Sequence, residues 1–216
     1  MPTDDQPAGA SAHSTTRDDL FEAAERLFAA NGFQKISVRD ITAEAGVNIA
    51  SVNYHFGSKD ALLLEIFRTR ATELNRERAR LLHEAIGRHH GRPPVREILA
   101  ALFAPPLRWF YASDRKRTSL QFILRVRTEG TQPMRDTLQG DVSHLTRFVA
   151  ALRTACPELP DETLYWRLHF CLGLIHNNRI ADFERLHRLS GGSTRAIDAE
   201  ALLVRMLDFA EAGMRV

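Results

Sequence analysis

Cysteine is nearly missing from this chain. Cys156 and Cys171 are the only two in 216 residues. Neither lies in a CxxC spacing, which argues against a disulfide-rich secreted scaffold and points to a reducing cytoplasm. Long apolar runs are missing too, with no stretch approaching the roughly 18 uninterrupted apolar residues of a membrane span. Residues 1–15, rich in Asp, Ser, Thr, Ala and Gly, carry no apolar core of the kind a secretion signal needs and read as a disordered tail. A soluble, cytoplasmic protein with no membrane partner is expected.

An excess of one charge is also lacking. Lys and Arg number 29 against 27 Asp and Glu, a net charge of +2, too mild to diagnose nucleic-acid binding. Between positions 33 and 70 the cations Lys35, Arg39, Lys59, Arg68 and Arg70 are offset by Asp40, Glu44, Asp60 and Glu65. Reactive clusters are thin as well. Ser113 and Lys116 match an SxxK spacing without the companion motifs of a serine-lysine hydrolase, so no enzyme and no catalytic residue is expected. His169, Cys171 and His176 fall short of the convergent ligand set of a soft metal site, so neither metal nor cofactor is expected. The charge run from Arg76 to Arg80 reads as a solvated helix face.

What is present is helical periodicity. Hydrophobic residues make up 44% of the chain and charged ones 26%, enough apolar surface for a folded core. Leu20, Ala23, Ala24, Leu27 and Phe28 recur at three- and four-residue steps behind a candidate N-cap at Thr16, and Asn31-Gly32 offers a helix stop. Ser37-x-x-Asp40 is a capping box opening a second helix, closed by Gly46. Asn48 can cap a third, ended by Gly57, and Ser58 a fourth that runs through Leu74 toward Leu82. Positions 37–56 therefore read as a helix-turn-helix inside a three-helix core.

Beyond His83 further helical segments fall at 95–104, 118–128, 134–155, 161–188 and 196–214, with breaks at 89–94, 105–106, 130–133, 157–160 and 190–193. Strand-like alternation is absent. The expected fold is all-α: the tail at 1–15, a helix-turn-helix DNA-binding domain at 16–67, and a larger effector-binding and dimerisation domain at 68–216.

A recognition helix needs small or polar side chains on the face that enters the major groove and apolar ones behind it. Residues 48–56 fit, with Val52 and Phe56 facing the core and Ile49, Ala50, Ser51, Asn53 and Tyr54 left for DNA. Gly57-Ser58-Lys59 then offers a phosphate clamp at a helix start.

Phe28, Gly32 and Phe33, then Ser37-Val38-Arg39-Asp40-Ile41, Ala45-Gly46-Val47 and Tyr54-His55-Phe56-x-Ser58-Lys59-x-Ala61-Leu62, resemble the N-terminal signature of TetR-family transcriptional regulators over residues 16–67. The resemblance implies a ligand-responsive repressor, acting as a homodimer on a near-palindromic double-stranded operator. It implies contacts to phosphate or groove edges from Ser37 and Arg39 and base or phosphate contacts from Asn48, Ala50, Ser51 and Asn53. Backbone contacts would come from Tyr54 and His55, and a phosphate contact from Lys59. For Ser37 and Asn48 a capping role stands as the alternative.

The stretch 164–175, with 157–160 before it and 212–215 near the end, is similar to the PsrA-type, fatty-acid-responsive subgroup, which implies a long-chain fatty acid or acyl-CoA as effector. A more polar or aromatic molecule, or no small-molecule effector at all, are the alternatives. Candidate pocket residues are Trp109, Phe110, Phe122, Arg125, Phe148, Trp166, His169 and Phe170. Arg125 is the candidate for an anionic head group, because a guanidinium among Phe122, Ile123, Leu124 and Val126 needs an acidic partner, which a glutamate of the chain itself would supply equally well. The long fourth helix would carry the signal between the two domains.

Overall fold

The computed structural model describes residues 15–176, 180–194 and 198–215. The expected tail lies outside them except for Thr15. The described residues form eleven helices and no strand: α1 Thr16–Asn31, α2 Val38–Glu44, α3 Ala50–Phe56, α4 Lys59–Arg88, α5 Val95–Tyr111, α6 Arg115–Glu129, α7 Gln132–Gly140, α8 Ser143–Ala155, α9 Asp161–His176, α10 Ile180–Leu189 and α11 Ala199–Met214.

Local chemistry sets most of these boundaries. It is Thr15, one residue before the expected cap, that starts α1, exchanging hydrogen bonds with Asp18. Ser37 and Asp40 form the expected box at α2, where the Ser37 hydroxyl donates to Asp40 at 2.7 Å. Ser58 accepts from the Ala61 N–H at 3.0 Å and starts α4. The helix expected over 134–155 is two, because Asp141 accepts from the Ser143 N–H at 3.1 Å after Gly140 and restarts the chain as α8.

Pro105 and Pro106 do not break the chain; they lie inside α5. An interior proline costs about 3 kcal/mol, but this helix is buried around most of its circumference, Ile98, Leu99, Leu102 and Phe103 being fully enclosed. Full burial of a large apolar side chain contributes about 1.5–3 kcal/mol, so packing overrides the breaker. Pro106 has no N–H for the Leu102 carbonyl one turn back, and Arg78 of α4 supplies the missing donor through Nε at 3.1 Å.

Two main cores result. One gathers α1–α3 and the start of α4 around Phe28, Ile41, Val52 and Ile66, and is completed by Phe122, Val126 and Met134 from α6 and α7. The other joins the far half of α4 to α5, α8, α9 and α11 around Leu82, Phe103, Phe148, Leu164 and Leu207. The 30 residues of α4 span about 45 Å and belong to both.

Two polar clamps fix the junction. Arg70 of α4 is buried against Glu25 of α1 through a paired fork at 2.8 and 2.7 Å, with Glu73 at 2.9 Å. Arg125 of α6 donates to the Ala29 and Ala30 carbonyls at 2.9 and 3.0 Å, ending α1 with side-chain donors. Its neighbour Glu129, bonded to Arg125 at 2.8 Å, accepts from the Phe33 N–H at 3.0 Å. Gly32 sits beneath this clasp with φ of 88°, where a Cβ would collide with the Glu129 carboxylate.

Candidate nucleic-acid interface

The third helix is short and held from behind. Val52 is fully buried, and Phe56 is partly buried beneath the Arg17 guanidinium, 4.9 Å from its ring centroid. With that side anchored against α1 and α4, the other side is left to solvent. Ala50 and Asn53 are exposed, Ile49 is half exposed and Tyr54 is 85% exposed. Ser51 and His55 are intermediate, with His55 edge-on to the Tyr54 ring at 4.9 Å. A small and polar ridge with one projecting phenol is a surface that can enter a major groove.

The flanking residues divide between capping and exposure. Asn48 accepts from the Ala50 N–H at 2.8 Å through its side-chain oxygen, so its oxygen organises the helix start. Ser37 is engaged in the α2 box, and Arg39 is exposed beside it. Lys59 is placed differently from the expected phosphate clamp. Its ammonium turns inward, donating to the carbonyls of Phe33 at 3.3 Å and of Ile36 and lying 5.1 Å from the Phe28 ring. It ties the α1–α2 loop to α4.

The expected pocket residues do not converge. Trp109 is buried in a small cluster with Leu74 and Leu120, Phe110 packing beside it, and its indole N–H donates to Glu77 at 2.9 Å. Phe122 belongs to the N-terminal core and Phe148 to the C-terminal one. Arg125 is engaged at the α1 terminus, so two backbone carbonyls and Glu129 replace the anionic partner its apolar neighbours suggested. Trp166, His169 and Phe170 lie together on the exposed side of α9, with the rings of Trp166 and Phe170 stacked at 6.0 Å. Cys171 points the other way into the core, where burial pushes its thiol up to about 11. Among the described residues no group of three metal-ligating side chains occurs.

A different set of polar groups is buried. Along α4, Ile66, Arg70, Leu74, Arg78 and Leu82 recur every four residues and are all buried, so the run containing Arg78 is not wholly a solvated face. Burial alone would depress the Arg70 guanidinium, but Glu25 and Glu73 outweigh it and its pKa is raised. Among the described residues Arg78 has only neutral acceptors, the Leu102 carbonyl and Asn75 Oδ1 at 3.2 Å, and burial lowers it to about 10. Desolvation and then the Arg78 charge hold His144 of α8 below its ordinary value, and its buried Nδ1 has no hydrogen-bond partner. Apolar residues at four-residue steps, interrupted twice by arginine, are the signal of this set in the sequence.

Comparison with known proteins agrees with this architecture. Residues 20–66 match the family described as bacterial regulatory proteins, tetR family, and residues 100–213 match the tetracyclin repressor-like C-terminal domain. The HTH-type transcriptional repressor KstR2 of Mycobacterium tuberculosis is 26% identical over 153 residues, covering 63% of this chain and 76% of KstR2. The HTH-type transcriptional regulator BetI of Agrobacterium fabrum is 38% identical over 71 residues, 33% of this chain and 34% of BetI. Among solved structures, the TetR family regulator PfmR from Thermus thermophilus superposes with a TM-score of 0.62 at 19% identity, over 91% of this chain and 99% of PfmR. AmtR of Mycobacterium smegmatis gives 0.54 at 18%, over 96% and 89%; identities this low establish fold alone. With a family match to over half its length behind a helix-turn-helix of the same family, this chain belongs to the TetR family of bacterial transcriptional regulators.

Proposed function

We propose that the protein is a homodimeric repressor that reads its operator with the exposed face of α3 and releases it when a small effector binds the C-terminal helices. In this reading residues 16–67 are the DNA-reading domain and 68–216 the dimerisation and effector domain. The observation that carries it is the recognition helix: a fully buried Val52 behind it and Ala50, Asn53 and Tyr54 exposed in front. Ser51 and the Asn48 amide extend that surface, with Arg39 and His55 beside it for backbone contacts. Ser37 acts as a cap and Lys59 as an internal tie.

A second copy of the chain would pair through α9 and α11, which pack on each other. Each is amphipathic twice over. Behind its buried stripe α9 exposes Tyr165, Trp166, His169 and Phe170, and α11 exposes Val204 and Phe209. Exposed aromatic and apolar side chains on two adjacent helices are what supports this choice of association surface.

An effector can weaken operator binding only by favouring one dimer shape over the other. The continuous α4 would carry that preference, since a tilt of it alters the separation of the two recognition helices, and half-site spacing is a strict demand. The likeness to fatty-acid-responsive regulators makes a long-chain acyl compound the first effector class to try.

Fluorescence anisotropy on DNA from the protein's own upstream region tests the reading. Saturable, sequence-specific binding that Tyr54→Ala and Asn53→Ala weaken about ten-fold or more, with unchanged thermal unfolding, supports it. Binding that does not distinguish this DNA from an unrelated duplex overturns it.

A further inference from the structure

We infer that Ile49 is a specificity-determining residue that reads the 5-methyl group of a thymine in the major groove of the operator. The inference rests on the operator-reading role given to α3 above and names the base chemistry this helix selects.

Exposed apolar side chains are unevenly placed along the chain. Among the described residues ahead of Tyr111, the large hydrophobic side chains left exposed are Ile49, at 49%, and Tyr54, at 85%. One caps the recognition helix and the other lies in it. Tyr54 carries a hydroxyl that water or a phosphate can satisfy, whereas Ile49 carries nothing polar. Val47, two residues earlier, packs against the N-terminal core, and Ile49 neither builds nor flanks that core. Its outward placement follows from the backbone. Ile49 already has helical dihedrals, φ −57° and ψ −30°, so its side chain shares a face with Asn53, four residues on. Recognition helices meet base edges with their N-terminal residues, which is where Ile49 stands.

The neighbours decide what Ile49 can meet. Residues 48–56 contain no arginine or lysine, the side chains that grip O6 and N7 of guanine. Asn48 accepts from the Ala50 N–H at 2.8 Å, which turns its amide oxygen toward the helix start. Asn53 keeps an exposed amide, the group that matches N6 and N7 of adenine. On the major-groove edge of an A·T pair the one apolar feature is the thymine methyl, and an aliphatic side chain beside an adenine reader is suited to it. Ala50, exposed next to Ile49, adds a second small apolar surface and lets the backbone come close. Over a G·C pair the same isoleucine would cover polar base edges without offering them a partner, so it also rejects the wrong base.

The test is a uracil scan of the operator found by anisotropy in the protein's own upstream region. Each thymine is replaced in turn by uracil, in both half-sites at once, which removes the methyl and leaves base pairing intact. At one thymine or more the unmodified full-length protein should bind about four-fold more weakly for each methyl removed, and about ten- to twenty-fold over the two half-sites. Ile49→Ala should bind the thymine and uracil duplexes alike at that position, with unchanged thermal unfolding. Tyr54→Ala, weaker overall, should keep the discrimination. The inference is overturned if no uracil weakens binding, or if Ile49→Ala discriminates as the unmodified protein does. It is overturned equally if Tyr54→Ala loses the discrimination too, since the methyl would then be sensed through the placement of the whole helix. Should Ile49→Ala fold poorly or bind too weakly to measure, Ile49→Val decides: a smaller uracil penalty supports the contact and an undiminished one removes it. Failure of the unmodified protein to distinguish its upstream DNA from an unrelated duplex would instead overturn the regulatory reading, before any thymine is replaced.

Discussion

Replacing Arg70 by methionine should be among the most damaging single changes in this chain, although it removes no apolar contact. Glu25 is 1% exposed, and the fork from Arg70 at 2.8 and 2.7 Å is its hydrogen-bonded counter-charge. Arg70→Met leaves that carboxylate enclosed and unpaired, a loss of about 3–5 kcal/mol for a buried pair broken on one side. For a chain of this size each kcal/mol lowers Tm by about 2–4 °C, so a fall of roughly 6–20 °C is expected by circular dichroism. Glu25→Leu alone should cost a similar amount. The double variant Glu25→Leu/Arg70→Met buries two apolar chains where an ion pair stood, and should be clearly more stable than the sum of the two losses implies, with a coupling of about 2 kcal/mol or more. Glu73, at 2.9 Å and partly solvated, takes a lesser part. Additive losses in the cycle, or single losses below about 1 kcal/mol, would mean that the pair behaves as a surface salt bridge and that the α1–α4 joint is held by its apolar contacts alone.

Three further outcomes follow from the same geometry. Trp166→Glu, placing a carboxylate in the exposed patch of α9, should shift the protein toward monomer in sedimentation velocity and weaken operator binding with little change in helix content; an unchanged dimer would remove α9 from the interface. Glycine at Ala71 and Thr72, between the Arg70 clamp and Leu74, should lower α4 stability by about 1 kcal/mol at Ala71 and a few tenths at Thr72 and uncouple effector from operator, so that effector still binds in calorimetry while anisotropy no longer responds; normal induction would sink the role given to α4. His144 is held below 6.5 by burial first and the Arg78 charge second. Because its folded value is the lower one, the unfolded chain binds the extra proton, and the stability contributed is present above pH 6.5 and lost as pH falls through the folded value. His144→Phe should flatten that acid limb in urea titrations at several pH values, and an identical limb would show that other groups cause it.

The fold was legible because its boundaries are local. A hydroxyl three residues before an acid, or a glycine where the chain must turn, acts on its immediate neighbours, so Ser37, Gly46, Gly57 and Ser58 announce their roles without reference to distant residues. The outward face of α3 was legible for a related reason: the helix has only two turns, and once Val52 is buried the exposed positions are determined by the period of the helix. Departures came where a distant partner decides. Arg125 among apolar residues suggested an effector site, yet its acceptors are 95 and 96 residues away on α1. Pro105 and Pro106 suggested a break, yet an arginine from another helix repairs the carbonyl that Pro106 leaves open. The aromatic candidates on α9 lie outside the core for a third reason, since a helix with two hydrophobic stripes does not say which one its own chain will cover. In each case the residue type was informative and its partner was not. Arg78 was misplaced for the same reason: a charge run reads as a solvated face, and only the fold reveals the Leu102 carbonyl on α5 that draws this one inside.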